Sequence, residues 1–391
     1  MIERELYLKK IEPWINKDIV KVLTGIRRCG KSTILNQIIA KLSNENIKKE
    51  NIILINLESA TYNKITNFQQ LDKIVREKIK NLEGKAYLFF DEIQNVKDWE
   101  KSINSYLVDF NADIYITGSN SNLLSGELAS RLTGRYIEIK IFPFSYKEAL
   151  RCKNDLKFED YIKYGGMPFI FQIEEENEKI KYLHDLYSSI LFEEIIKRYE
   201  IRDVDLISRL TDFLMDNTGK TFSADSISKY LKHEGIQISR NTIYNYLNYL
   251  EYACLTHKVS REDLHGKRIL KYREKYYFTD QGFIETLGGK NIDNISQILE
   301  NVIYMELLRR DYEVYVGKLN GYEVDFICKK GKEKLYIQVC YLLSSSETIE
   351  REFKPLQKIK DNYEKLVLSM DNFDFSKEGI KHQNIVDFLL S

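Results

Sequence analysis

The segment Gly25-Ile26-Arg27-Arg28-Cys29-Gly30-Lys31-Ser32 constrains the fold of this chain more than any other feature. The apolar run Ile19-Val20-Lys21-Val22-Leu23 precedes it, and the spacing from Lys31 to Leu42 predicts a helix. Strand, glycine-bearing turn and helix in that order turn backbone amides and a helix N-terminus toward one point, which is how a chain holds phosphate groups. Gly25 and Gly30 let the backbone wrap closely, Lys31 would reach the β- and γ-phosphates, and the Ser32 hydroxyl would ligate Mg²⁺. The contacting stretch runs from Gly25 through Thr33, and ATP with Mg²⁺ is the expected cofactor pair. Without that flanking context the same residues would read as a Gly-rich turn that carries a lysine.

Up to about residue 145, short apolar runs alternate with helical patterns. Strands are expected at Asn51–Leu57, Ala86–Phe90, Ile114–Thr117 and Tyr136–Ile141, with helices near Phe68–Ile79 and Asp98–Asp109. This alternation predicts an α/β domain with a mainly parallel sheet, whose ligands bind at the carboxyl ends of the strands. Asp91-Glu92 falls at such an end. We assign Asp91 to the metal and Glu92 to orienting and polarising the attacking water; solvated turn acids are the other reading. The next strand ends Thr117-Gly118-Ser119-Asn120, where Ser119 or Asn120 would stand between the carboxylates and the γ-phosphate, or cap a helix starting at Ser121. Arg131 and Arg135 bracket the end of that helix. Arg135 is the preferred candidate for an arginine placed in a neighbouring subunit's site, against ordinary charge balance at a helix end.

Composition sets outer bounds. The 391 residues hold 59 Lys+Arg against 59 Asp+Glu, so any basic surface must be local. With 43% hydrophobic and 30% charged residues the chain is a globular protein rather than a disordered one. No apolar run reaches the length of a membrane span, and the N-terminal residues are too charged for a signal peptide. Five scattered cysteines form neither a disulfide framework nor a zinc spacing. A cytoplasmic location is the expectation.

The segments Gly-Ile-Arg-Arg-Cys-Gly-Lys-Ser-Thr, Phe-Phe-Asp-Glu-Ile-Gln, Ile-Thr-Gly-Ser-Asn and Leu-Thr-Gly-Arg-Tyr, with Phe142-Pro143-Phe144-Ser145, resemble the archaeal-type AAA+ ATPases. Gly165-Gly166-Met167-Pro168 and Ile201-Arg202-Asp203 fit the prokaryotic branch that carries a C-terminal domain of unknown function. The resemblance spans nearly the whole chain. It implies a P-loop AAA+ core over 1–145, a helical lid over 146–202, and a homo-oligomer in the ATP-bound state.

Residues 203–289 read as a winged helix-turn-helix. Helices are expected at Leu206–Met215, Ser223–Leu231 and Ser239–Tyr252, followed by short strands at Leu255–Val259 and Lys275–Phe278 around a basic loop. In such a motif Arg240, Asn241 and Tyr244 would face the major groove of DNA, and Lys258, Arg261, Lys267, Arg268, Lys271 and Arg273, within the stretch Lys258 to Lys275, would contact phosphates. A protein partner is the competing reading, since winged helices also bind proteins.

Residues 290–391 follow an αβββαβ order: a helix at Ile295–Arg310, strands at Glu313–Gly317, Glu323–Cys328 and Lys334–Tyr341, a helix at Glu347–Lys360, and strands near Leu366–Ser369 and Ile385–Leu389. This order resembles the restriction-endonuclease-like PD-(D/E)XK core, in which a helix acid, an aspartate and a Glu-x-Lys pair collect Mg²⁺. Glu300 and Asp325 match the first two, but Gln338-Val339-Cys340 stands where Glu-x-Lys belongs. Glutamine brings no charge and cysteine no ammonium, which argues against a working nuclease. The leading expectation is an AAA+ ATPase that hydrolyses Mg-ATP to drive or gate engagement of its C-terminal domains with DNA. A nucleotide-gated protein-binding switch and an ATP-dependent DNA nuclease are the rivals.

Overall fold

The computed structural model describes residues 2–121, 134–233, 235–266, 268–288 and 295–391. They gather into two compact units, Met1–Pro143 with Tyr252–Cys254, and Phe144–Glu251 with Leu255–Ser391.

In the first unit, helix α1 (Glu5–Ile11) precedes β1 (Val20–Thr24), α2 (Lys31–Asn44), β2 (Ile52–Asn56), α3 (Phe68–Ile79), β3 (Ala86–Asp91), α4 (Trp99–Asp109), β4 (Ala112–Gly118) and β5 (Tyr136–Lys140). The five strands form one parallel sheet in the order β2-β3-β4-β1-β5. Every residue of β1 and β3 is buried, as a parallel strand covered on both faces requires. Val22, Ile55, Leu88, Phe90 and Ile116 from the sheet pack with Leu71 and Val75 of α3 and Ile103 and Tyr106 of α4 in one core. Asn67 accepts a hydrogen bond from the Gln70 amide and so starts α3. Pairings Asn56↔Asp91, Phe90↔Ile116 and Thr24↔Gly118 bring the carboxyl ends of β2, β3, β4 and β1 level along one edge. That edge carries the site.

The second unit opens with helices α5 (Tyr146–Cys152), α6 (Phe158–Tyr164), α7 (Glu176–Ser189), which runs into a π-helical turn at Ile190–Ile196, α8 (Val204–Asp216), α9 (Ala224–His233) and α10 (Arg240–Tyr252). Strands β6 (Thr256–Asp263) and β7 (Arg268–Phe278) follow, then α11 (Gln281–Leu287), α12 (Ile295–Arg309), β8 (Glu313–Leu319), β9 (Tyr322–Lys330), β10 (Glu333–Val339), α13 (Ser346–Gln357), β11 (Glu364–Ser369), β12 (Lys381–Asn384) and α14 (Ile385–Leu390). The glycines of Gly165-Gly166-Met167-Pro168 have a packing reason. A Cβ on Gly165 would stand 1.7 Å from Asp280 Oδ1, and the Gly166 amide donates to Asp280 Oδ2 at 2.8 Å. The lid segment is thereby tied to the loop that starts α11.

The strands expected to form a wing do not stand alone. The β6–β7 hairpin joins the C-terminal strands in one mixed sheet of seven, ordered β12-β11-β10-β9-β8-β6-β7, because β6 pairs in parallel with β8 through Arg261↔Val316. A second correction concerns Ile385–Leu389, expected as a strand. It is helix α14: the Asn384 side chain accepts from the Val386 amide at its start, and Ile385, Phe388 and Leu389 are buried at helical spacing. Among the described residues no helix is long and apolar enough to cross a membrane.

Candidate active site

The loop after β1 needs its glycines. Gly25 has φ +154°, and a Cβ there would come within 2.1 Å of the Ile141 carbonyl oxygen. Gly30, at φ 104°, occupies the position that opens α2. The Ile26 and Cys29 side chains are buried, while Arg27, Arg28 and Ser32 lie at the surface. Burial pushes the Cys29 thiol up, so this cysteine is packing and not a nucleophile. Lys31 is 3% exposed. Its ammonium donates to the Gly25 and Ile26 carbonyls at 3.0 and 3.2 Å and lies 3.6 Å from Glu92 Oε1.

Two carboxylates close the site from the end of β3. Asp91 accepts from the Thr117 hydroxyl at 2.6 Å and from Asn56 Nδ2 at 3.1 Å, and the nearby Ser32 hydroxyl favours its ionised form. Burial raises its pKa, against the lowering effect of Thr117 and Ser32. Glu92 has a left-handed backbone at φ 57°, held by its amide donating to Thr117 Oγ1 at 2.9 Å. Burial would raise the Glu92 pKa, but Lys31, Gln94, Arg27 and Ser119 together bring it below the usual range. An ionised carboxylate results, as a water-orienting role needs. Ser32 and Asp91 present hard oxygen donors side by side, which fits Mg²⁺.

Thr117, at the end of β4, joins the Asp91 carboxylate to the Glu92 backbone amide, while Ser119 and Asn120 follow it at the same strand end. Both of those side chains are buried. Ser119 reaches Glu92 through Gln94, whose Nε2 donates to Ser119 Oγ at 3.1 Å and to Glu92 Oε2. Gln94 Oε1 is buried with no hydrogen-bond partner among the described residues. Arg4, on the turn entering α1, was also missed by sequence reasoning. Its guanidinium, 1% exposed, donates to the Cys29 carbonyl at 3.1 Å and the Phe142 carbonyl at 2.9 Å. No spacing rule joins residue 4 to residue 29; only the fold does. Gln94 lay in view, inside the motif that carries Asp91 and Glu92.

Arg135 is exposed, and its carbonyl accepts from the Val20 amide at 3.0 Å. That places it at the amino ends of β1 and β5, the edge opposite the phosphate loop, so it does not enter its own subunit's site. Arg131 lies outside the described residues, as does Lys267; the side chains of Arg268, Lys271 and Arg273 are likewise not described.

The basic residues expected to meet DNA divide into two groups. Arg240 is 70% exposed and pairs with Asp225, Lys258 pairs with Glu274 at 2.8 Å, and Tyr244 is exposed. Arg261 is buried at 9% exposure, 3.7 Å from Glu323, and Lys275 is buried at 2%. Arg261 is a correction, since it is drawn inward by Glu323 rather than presented to a phosphate, and Lys275 at the end of the basic stretch is drawn in by the same acid of the C-terminal sheet. There Lys275 Nζ stands 2.8 Å from Glu300 Oε1 and 2.9 Å from Glu323 Oε1, with Asp325 beside them.

Comparison with known proteins agrees with this geometry. A family model described as an AAA domain matches residues 17–150, and one described as a domain of unknown function matches residues 155–295. The Walker-type ATPase of Pyrococcus abyssi shares the fold, with TM-score 0.51 and 18% identity over 73% of this chain and 96% of that one. Sheet, phosphate loop and family match define residues 17–150 as an AAA domain with a P-loop ATPase fold. The chain belongs to the same family as an uncharacterised protein of Haemophilus influenzae, 39% identical over 100% of this chain and 99% of that protein. An uncharacterised protein of Methanocaldococcus jannaschii is 33% identical over 99% of this chain and 88% of its own length.

Proposed function

We propose that this protein binds and hydrolyses Mg-ATP, and that the nucleotide state controls how its C-terminal segments engage a partner. The observation that carries the proposal is the chain of contacts Ser32–Asp91–Thr117–Glu92–Lys31, which joins a metal-directed hydroxyl and carboxylate to a water-directed carboxylate. When bound, Mg²⁺ would supply the positive charge that neutralises charge developing on the phosphates. Ser32 and Asp91 would hold it, and the amides from Gly25 to Thr33 with Lys31 would cradle the phosphates. Without nucleotide, Lys31 is held by two loop carbonyls and Glu92, and Glu92 is also clamped by Gln94. Phosphate competes for the Lys31 ammonium, which loosens one of the two restraints on Glu92 and lets it take the proton of an attacking water.

The test is ATP binding and turnover for wild type and Glu92→Gln, with and without duplex DNA. The variant should bind ATP as wild type does and turn it over roughly 10²-fold or more slowly. Equal turnover would remove Glu92 from the mechanism.

DNA is the partner this reading favours, through Arg240, Asn241, Tyr244 and Lys258. The second reading, a nucleotide-gated protein-binding switch, is favoured by one observation: Arg240, Lys258, Arg261 and Lys275 each face a carboxylate of the same chain. Affinity for duplex DNA against salt separates the two. Each phosphate contact adds about 0.9 to the slope, and a slope near zero supports the protein partner.

A further inference from the structure

The nuclease-like resemblance would fill the acidic centre of the second sheet with Mg²⁺, and the residues there do not suit a metal. Glu300 on α12 and Glu323 on β9 share the Lys275 ammonium at 2.8 and 2.9 Å. Tyr277, two residues along β7, donates its hydroxyl to the same Glu300 Oε1. Asp325 is engaged as well, since its Oδ2 accepts from the Val339 amide at 2.9 Å. Gln338, in the place of the expected glutamate, is fully used: its Oε1 accepts from the Asp325 amide at 2.8 Å and its Nε2 donates to Glu352 at 3.1 Å. Among the described residues no three His, Cys, Asp or Glu side chains are disposed to hold a metal ion.

We infer that Lys275 is a built-in counter-ion: its ammonium fills the place between Glu300 and Glu323 that a divalent cation would need, and the centre is a metal-independent latch holding the β6–β7 hairpin to α12 and β9. A hard cation would have to approach the same oxygens to about 2.0–2.6 Å, displacing an ammonium whose charge repels it. The lysine absent from position 340 thus has a counterpart, delivered from β7 at the edge of the sheet. The counterpart is turned toward closing the centre. Its removal leaves the buried Glu300 without its cation while Glu323 keeps only Arg261 at 3.7 Å, an imbalance that a metal ion could then correct.

The test uses the full-length chain without nucleotide, titrated with Mn²⁺ and followed by electron paramagnetic resonance and thermal melting. Wild type should show no Mn²⁺ binding that Asp325→Asn abolishes. Lys275→Met should melt lower in EDTA, recover by roughly 5 °C or more as Mn²⁺ is added, and lose that recovery in the Lys275→Met/Asp325→Asn double variant. If Lys275→Met does not fold in EDTA, folding restored by Mn²⁺ supports the latch, and failure in both conditions counts against it. Wild-type Mn²⁺ binding that depends on Asp325 would overturn it, as would a Lys275→Met protein indifferent to Mn²⁺.

Discussion

Thr117 shows how much of the site rests on one hydroxyl. It donates to the Asp91 carboxylate and accepts from the Glu92 backbone amide, so one side chain with no exposure to solvent fixes both the metal-directed acid and the backbone of its neighbour. Thr117→Val, which keeps shape and removes the hydroxyl, should lower turnover roughly 10- to 100-fold while Thr117→Ser stays near wild type; steady-state ATPase assays of the pair check this. Asp280 offers a second residue-scale prediction. Burial raises its pKa from 3.8 to about 6, against the amides of Gly166 and Gly282 and the nearby Arg309. The protonated form therefore favours the fold. Its stabilisation, up to about 3 kcal/mol, is complete below the unfolded pKa and is lost as pH rises through about 6. Urea unfolding from pH 4 to 7 should show wild type losing ground against Asp280→Asn over that window, and a constant difference would contradict the shift. The placement of Asp91, Glu92 and Lys31 was legible in the sequence because it follows from position relative to a strand end. Thr117, Lys21 and Lys275 were not. Lys21 looks like an interruption in an apolar strand, yet it is wholly buried against Asp113, a partner that only the β1–β4 pairing brings near.

Among the elements, the parallel strands were read within a residue or two, since β3 is an apolar run buried on both faces and the others keep apolar residues at most positions. The final strand was misread for the same reason: Ile385–Leu390 is a short apolar stretch too brief to show its period. Helix α1 carries no signal of function, but its entry residue Arg4 ties the phosphate loop to the segment after β5. Arg4→Met should destabilise the protein by roughly 3 kcal/mol, as two buried carbonyls lose a charged donor. It should also raise the KM for ATP more than it lowers kcat. Denaturant midpoints together with ATPase kinetics read both effects, and a variant that unfolds more easily but keeps its KM would confine Arg4 to stability.

At the scale of the molecule, Arg135 sits at the edge of the sheet away from its own phosphate loop, so any catalytic role requires a second copy of the chain. Turnover per subunit should then rise with protein concentration for wild type, and Arg135→Ala should assemble normally yet stay at the low rate. An assembled variant with wild-type turnover would exclude the role. The seven-stranded sheet has a consequence for how the protein is made. The first sheet needs nothing beyond residue 140, and it can close while the rest of the chain is still being synthesised. The second cannot: β6, complete by residue 263, pairs with β8, which begins at residue 313, and the outermost strand β12 ends at residue 384. At about 5–20 residues per second the β6–β7 hairpin waits for several seconds with an open edge on the ribosome. Nascent chains halted near residue 300 should therefore protect the first unit from protease and leave the hairpin open to cleavage and to chaperone capture.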